Sequence, residues 1–294
     1  MPSFLHQGIL SLLATHDTLL VELARHFEPR AARSLASGEL ARGSSELPNP
    51  AFPESVLHAD LLVALPETLA LAVEVQTSED PLKRYSWLSY AAGARRRFEC
   101  PGWTLVCIPD PDLRHKYRQM FEDEPRASPW FIEPCMLEPI TTVERAVQDV
   151  SRATLTTLFH VRGSSGPACA RGTLEALRRV DHPDRAVYRE LVLTSMTEEQ
   201  RAALPADIFE VDPDAPLGNL ERTGFYFTTG HREGKNEGQR TELQRMILRT
   251  LELRGLTVDE ASRARIEGCE EVETLRSYFE RAVVVEGLDA LFQP

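Results

Sequence analysis

The chain predicts an α/β fold: a small mixed sheet flanked by helices, followed by an all-helical carboxy-terminal region. Three observations predict it. Short β-type apolar runs, His58 to Leu65, Leu69 to Gln76 and Trp103 to Ile108, alternate with stretches of helical periodicity. The first two runs are separated only by a turn at Pro66-Glu67-Thr68, whereas a helical stretch precedes the third, so a hairpin is followed by a crossover. From Thr141 onward helical spacing dominates.

The elements follow in order. Leu5 to Phe27 carries Leu10, Leu13, Leu19, Leu20 and Leu23 at helical spacing, which reads as one or two amphipathic helices. Glu28 to Pro53, rich in Ala, Arg, Ser, Gly and Pro, reads as a short helix and then a loop. After the hairpin, Asp80 as N-cap and Pro81 at the first helical position start a helix that runs to about Phe98. Pro101-Gly102 breaks it. The buried strand from Trp103 ends at Pro109-Asp110-Pro111, Leu113 to Phe121 is a helix, and Trp130 to Leu137 a further strand. Val143 to Phe159 reads as one helix, and Arg162-Gly163-Ser164-Ser165-Gly166-Pro167 as the best linker in the chain. Helices are expected at Leu174 to Val180, Arg185 to Ser195 and Glu198 to Leu204. Glycine then recurs every four residues from Gly230 to Gly238, leading into a stripe of Leu243, Met246, Ile247 and Leu251. Leu275 to Leu291 closes the chain as a second carboxy-terminal helix. The expected organisation is a core over residues 1–160, a helical linker region over 161–230, and a helix pair over 231–294 that serves oligomerisation or partner binding.

Composition narrows the function. The 294 residues, 42% of them hydrophobic, suffice for one large or two ordinary domains. No apolar run is long enough to span a bilayer, and the opening Met-Pro-Ser-Phe-Leu-His lacks a basic region and a cleavage pattern, so neither membrane nor secretion is expected. Five scattered cysteines (Cys100, Cys107, Cys135, Cys169, Cys269) without a CxxC pair read as reduced thiols of a cytoplasmic protein, not as disulfides or a zinc site. A net charge of −12 argues against broad electrostatic binding of nucleic acid, although divalent cations and a local basic strip can bridge to phosphate. Lysine occurs only at Lys83, Lys116 and Lys235; the remaining positive charge is arginine, the better bidentate phosphate donor.

The chemistry concentrates in the hairpin. Asp60 and Glu74 each sit inside an apolar run, where an unpaired charge costs several kcal/mol. A turn between them brings both carboxylates to one end of the sheet. Side chains alternate along a strand, so Glu74 and Gln76 share one face while Val73 and Val75 face the core. Two converging carboxylates with a polar neighbour make a site for a hard divalent cation. The competing reading is a hairpin whose polar residues simply face solvent; the apolar neighbours of both acids favour the site. His58, two residues before Asp60, reads as a structural histidine. No Ser-His-Asp arrangement is legible, and Gly163-Ser164-Ser165-Gly166 lacks the lysine and flanking strand of a phosphate loop.

Asp60, then Glu74-Val75-Gln76, then Lys83-Arg84-Tyr85-Ser86-Trp87-Leu88-Ser89-Tyr90 resembles the PD-(D/E)XK nuclease superfamily, and within it the branch of recombination-promoting nucleases and putative transposases. His6-Gln7-Gly8-Ile9-Leu10, the strand from Cys100-Pro101-Gly102-Trp103 to Pro109-Asp110-Pro111, and the glycine-and-charge repeat before the last helices extend the resemblance over most of the chain. It implies a restriction-endonuclease-like sheet and a divalent-metal-dependent DNA endonuclease, with Asp60 and Glu74 as ligands to Mg2+ (or Mn2+). Gln76 stands where the superfamily has lysine; it can hydrogen bond but carries no charge. Lys83 or Arg84 is expected to supply that charge. The superfamily's additional acid has two candidates, Glu22 and Glu46.

On the helix after the hairpin, Tyr85, Leu88 and Ala92 form one stripe, expected in the core. Arg84, Trp87 and Ala91 form another, expected at the rim of the site. DNA contacts are expected from Arg84, Trp87, Tyr90, Arg95 and Arg96, although the run Arg95-Arg96-Arg97 also reads as a solvated helix end favoured by the dipole. The partner is then DNA, with a homodimer formed through the carboxy-terminal helices. Two alternatives stand beside the nuclease: a catalytically weak or inactive nuclease fold serving as a DNA- or protein-binding scaffold in recombination, transposition or defence, and a transposition or recombination accessory factor that uses the fold only to hold DNA.

Overall fold

The structure, a computed structural model, describes residues 3–29, 40–49, 55–65, 67–205, 208, 225–285 and 287–292. It divides into two compact units, Met1–Phe225 and Tyr226–Pro294.

In the first unit, helices α1 (Phe4–Thr15) and α2 (Asp17–Arg25) precede strands β1 (Ala41–Gly43), β2 (Glu46–Pro48), β3 (Val56–His58), β4 (Leu61–Leu65) and β5 (Leu69–Val75). Helix α3 (Lys83–Phe98) crosses to β6 (Gly102–Cys107), and α4 (Pro111–Gln119) leads to β7 (Trp130–Phe131). The sheet order is β1-β4-β5-β6-β7. β1, β4 and β5 pair antiparallel, whereas β6 and β7 add in parallel. The expected hairpin, crossover and mixed sheet are therefore present. Strands β2 and β3 form a separate ribbon.

Four expectations for this half change. Residues 41–48, read as loop, supply β1 and β2; residues 30–39, where a short helix was expected, lie outside the described residues. The run from His58 to Leu65 is not one strand: Ala59 N–H donates to Ser45 O at 3.0 Å on the ribbon side, and the chain then turns into β4. Helix α3 starts at Lys83 rather than Pro81, because residues 81–82 form a turn in which Asp80 Oδ1 accepts from Leu82 N–H at 3.0 Å. Beyond β7 a 3-10 turn at Pro134–Met136 replaces the rest of the expected strand.

The two faces of the sheet bury different side chains. Val63, Leu65, Leu69, Leu71, Val73 and Val75 point into a large aliphatic core with α1 and α2. Leu62, Ala64, Ala70 and Ala72 form the floor under Trp87, Tyr90 and Ala94 of α3, with Tyr117, Phe121 and Phe131 beside them.

Helices α5 (Val143–Ala146), α6 (Val150–His160), α7 (Gly166–Arg179), α8 (Arg185–Ser195) and α9 (Glu198–Ala202) complete the first unit. The single helix expected from Val143 is split, and Asp149 caps α6 by accepting Arg152 N–H at 2.9 Å. The expected linker at residues 162–167 is a tight turn. A Cβ on Gly166 would lie 2.2 Å from Val161 O, so only glycine fits. Across it α6 and α7 join through Thr157 and Thr173, whose hydroxyls are 2.9 Å apart. Leu158, Leu177, Tyr188 and Leu191 belong to the same core as Ile9 and Leu71, so residues 161–195 are part of the first unit and the boundary expected at 160 is not a boundary.

The second unit contains α10 (Phe225–Leu253), α11 (Glu260–Glu267) and α12 (Val272–Ala282) around Ile247, Leu251, Ile266, Leu275, Ala282 and Leu291. The glycine repeat lies within α10. The last helix expected from Leu275 to Leu291 ends at Ala282, and a 3-10 turn follows at Leu288–Ala290. Among the described residues no helix is long and apolar enough to cross a membrane.

Candidate functional site

The site begins where the β4–β5 ladder stops. Leu61 pairs with Val73, and the next two residues in register are Asp60 and Glu74. There the carboxylates replace the ladder. Glu74 Oε1 accepts Asp60 N–H at 3.1 Å, and Asp60 Oδ2 accepts Val75 N–H at 2.8 Å. Each acid holds the other strand's backbone, so two costly groups are placed side by side by bonds that also satisfy them. The period of two holds through this point: Val73 and Val75 enter the aliphatic core, and Glu74 continues the face of Ala70 and Ala72.

Two further side chains converge. Lys83, the first residue of α3, donates from Nζ to Glu74 Oε2 at 2.6 Å. His6, in the first turn of α1, places Nε2 3.1 Å from Asp60 Oδ2. Close packing sets the position of α1. A Cβ on Gly8 would lie 2.6 Å from Leu191 Cδ2, so a larger residue there would require Leu191 to move for α1 to sit this near α8. Ser3, its N-cap, has its hydroxyl 3.1 Å from that of Thr77, just past β5. Glu74 is 0% exposed, whereas Asp60 and His6 are each 19% and Lys83 22% exposed. Solvent therefore reaches the site from the Asp60–Lys83 side.

Electrostatics follow from this burial. Desolvation, with the Asp60 charge adding to it, pushes the Glu74 carboxyl up to about 7 despite the opposing effect of Lys83. The hydrogen bond to Asp60 raises His6 above the ordinary histidine range, with burial opposing. Burial works against the Lys83 ammonium, but the charge and hydrogen bond of Glu74 outweigh it and leave its pKa raised. Burial, and then Glu74, raise the Tyr90 phenol, so it stays protonated and donates to His58 O at 2.8 Å.

The expected site residues separate into two groups. Asp60, Glu74 and Lys83 meet, and the ring of Tyr90 borders them with its centroid 5.8 Å from Lys83 Nζ. Gln76 is buried on the expected face, but its amide donates to Ser78 O at 2.7 Å. Its role is to fix the turn that delivers α3, together with Tyr117, whose hydroxyl accepts Asp80 N–H at 2.7 Å. Lys83, not Gln76, brings positive charge to the carboxylates. Arg84 turns the other way and pairs with Glu124 at 3.4 Å.

The two stripes of α3 are exchanged relative to expectation. Trp87 is buried at 1% exposure, while Tyr85 is 70% and Leu88 55% exposed. Trp87 is therefore a core residue stacked on Phe121 and edge-on to Phe131, not a rim residue. Arg95 is held by Gly102 O at 3.0 Å, and Arg96 is exposed at the helix end. Of the candidate additional acids, Glu22 pairs with Arg152, and Glu46 sits on the β2–β3 ribbon opposite His58. The first-helix residue that does reach Asp60 is His6.

The donor set suits a hard cation. Two carboxylates meet, and a small octahedral ion such as Mg2+ keeps several waters and needs one or two of them. Among the described residues no group of three or more His, Cys, Asp or Glu side chains is arranged around a metal position. Each carboxylate retains acceptor capacity beyond the bonds described above.

No family model, no curated protein and no solved structure matches the chain.

Proposed function

We propose that this protein is a divalent-metal-dependent endonuclease that hydrolyses DNA phosphodiester bonds on a restriction-endonuclease-like core. One observation carries the reading: Asp60 and Glu74, adjacent in register at the end of a hairpin, face a lysine delivered by the next helix. Asp60 and Glu74 would hold Mg2+ or Mn2+. Bound there, the ion would polarise a phosphodiester and lower the pKa of a coordinated water. Lys83 is the group that can hydrogen bond a phosphoryl oxygen and balance its developing charge, as the lysine of the strand does elsewhere in the superfamily. His6 fixes the orientation of Asp60, and Tyr90 walls the side where the ammonium lies. On an acidic body, contact with DNA would rest on the ion and on exposed arginines.

A second reading is favoured by a specific feature. The Lys83–Glu74 bond at 2.6 Å already compensates the buried carboxylate, as a protein that only binds DNA or another protein would need. A plasmid-nicking assay with Mg2+ or Mn2+ separates the two. Cleavage by the wild type that disappears in Asp60→Ala and in Glu74→Ala supports the nuclease. Absence of metal-dependent cleavage in the folded wild type moves the assignment to the scaffold.

A further inference from the structure

We propose that a cleft between α3 and the segment leading into β7 binds a small organic oxyanion, an aryl phosphate or carboxylate in class. This proposal does not rest on the nuclease reading. The cleft reaches along β6 from Gly102 to Thr104, whereas Glu74 lies opposite Val106 on the same pair of strands. Two residues of strand, roughly 7 Å along the sheet, separate the nearest positions.

Charge is the first argument. The chain carries a net charge of −12, yet no Asp or Glu lines this cleft, while Arg95 and Arg126 do. Arg95 is held in place: its Nε donates to Gly102 O at 3.0 Å, and its guanidinium carbon lies 5.5 Å from the Trp103 ring centroid. Arg126 makes no hydrogen bond or ion pair among the described residues. Two arginines without a carboxylate are the recognition chemistry of an oxyanion.

The second argument is shape. Ala91, Ala92 and Ala127 leave a slot of about 220 Å³ against Trp87 and Trp103. That is about seven waters' share of liquid volume. An apolar body the size of a benzene ring, carrying one phosphate or carboxylate, matches both the slot and its charge.

The test is a titration of the full-length protein followed by tryptophan fluorescence. Trp87, Trp103 and Trp130 are the only tryptophans of the chain, and Trp130 stacks on Trp103 at 4.9 Å, so the signal originates at the cleft. Phenyl phosphate and benzoate are titrated separately, with neutral benzyl alcohol as the control. A saturable change with at least one anion, and none with benzyl alcohol, is expected. Half-saturation should rise at least about tenfold, a loss of about 1.4 kcal/mol, in Arg126→Gln, an exposed position. No saturable change with either anion up to millimolar concentration overturns the proposal. So does an unchanged half-saturation in folded Arg126→Gln, or equal binding of benzyl alcohol. Inorganic phosphate competing as well as phenyl phosphate would remove the organic body from the assignment.

Discussion

The two faces of the central sheet are built by the same strands and bury opposite kinds of side chain. Toward α1 and α2 the strands present Val63, Leu65, Leu69, Leu71, Val73 and Val75, a large-aliphatic wall that is dry to its edge. Toward α3 the hairpin presents Leu62 and then only alanine, Ala64, Ala70 and Ala72, before Glu74. Small side chains let α3 lie close, and this closeness delivers the ammonium of Lys83 to Glu74. One face therefore stores stability and the other trades part of it for a charged site. β5 serves both, because successive residues on a strand belong to opposite faces.

This contrast can be broken at several points, and the largest effect is expected at the site. Lys83→Ala should cut metal-dependent cleavage by about 10³-fold, on the order of 4 kcal/mol, while its neighbour Arg84→Ala, which loses only a partly exposed pair with Glu124, should stay within about threefold in the same assay. Equal losses in both variants would mean that the ammonium delivered by α3 is not the group that matters. On the aliphatic face, Leu71→Ala should cost about 2–5 kcal/mol in urea unfolding. If it costs less than Ala72→Leu, the division of the faces is wrong.

The third expectation concerns pH. Glu74 titrates near 7 in the folded protein, against 4.5 for an ordinary glutamate. Between those values the folded state holds a proton that the unfolded chain has released, so the metal-free protein should lose stability as pH rises through this window. The loss is on the order of 3 kcal/mol. Glu74→Gln should flatten that slope in urea melts taken across the same range; an unchanged slope would place the titration elsewhere. Ala72→Leu, which overfills the floor beneath Trp87 and Tyr90, should cost about 1–3 kcal/mol. The smallest effect is expected for Tyr85→Ala on the exposed side of α3, within about 0.5 kcal/mol.

The sheet face of the site was legible because Val73-Glu74-Val75-Gln76 alternates without interruption. The identity of the lysine was half legible: Lys83 and Arg84 are neighbours on one helix, and only the turn fixed by Gln76 and Tyr117 decides which of them faces Glu74. The two stripes of α3 could not be told apart by period, because both carry aromatic and apolar residues at spacings of three and four. The alanine floor that chooses Trp87 over Tyr85 lies on other elements. His6 is 54 positions from Asp60, and nothing local marks a histidine in the first turn of an apolar helix as a partner for a carboxylate. Strands β1, β2 and β3 span three residues each, too few to display alternation. The tight turn at Gly166 has the composition of a linker, because glycine serves equally where the chain is free and where it is crowded.

The exchange of backbone bonds between Asp60 and Glu74 makes the end of the hairpin a latch. The amide hydrogens of Asp60 and Val75 are shielded only while both carboxylates stay in position, so their exchange with solvent deuterium reports whether the latch is shut. Neutralising either acid lifts one bolt and loosens the chain on the opposite strand. The molecule thus carries, in two ordinary amides, its own gauge of whether the carboxylates are assembled.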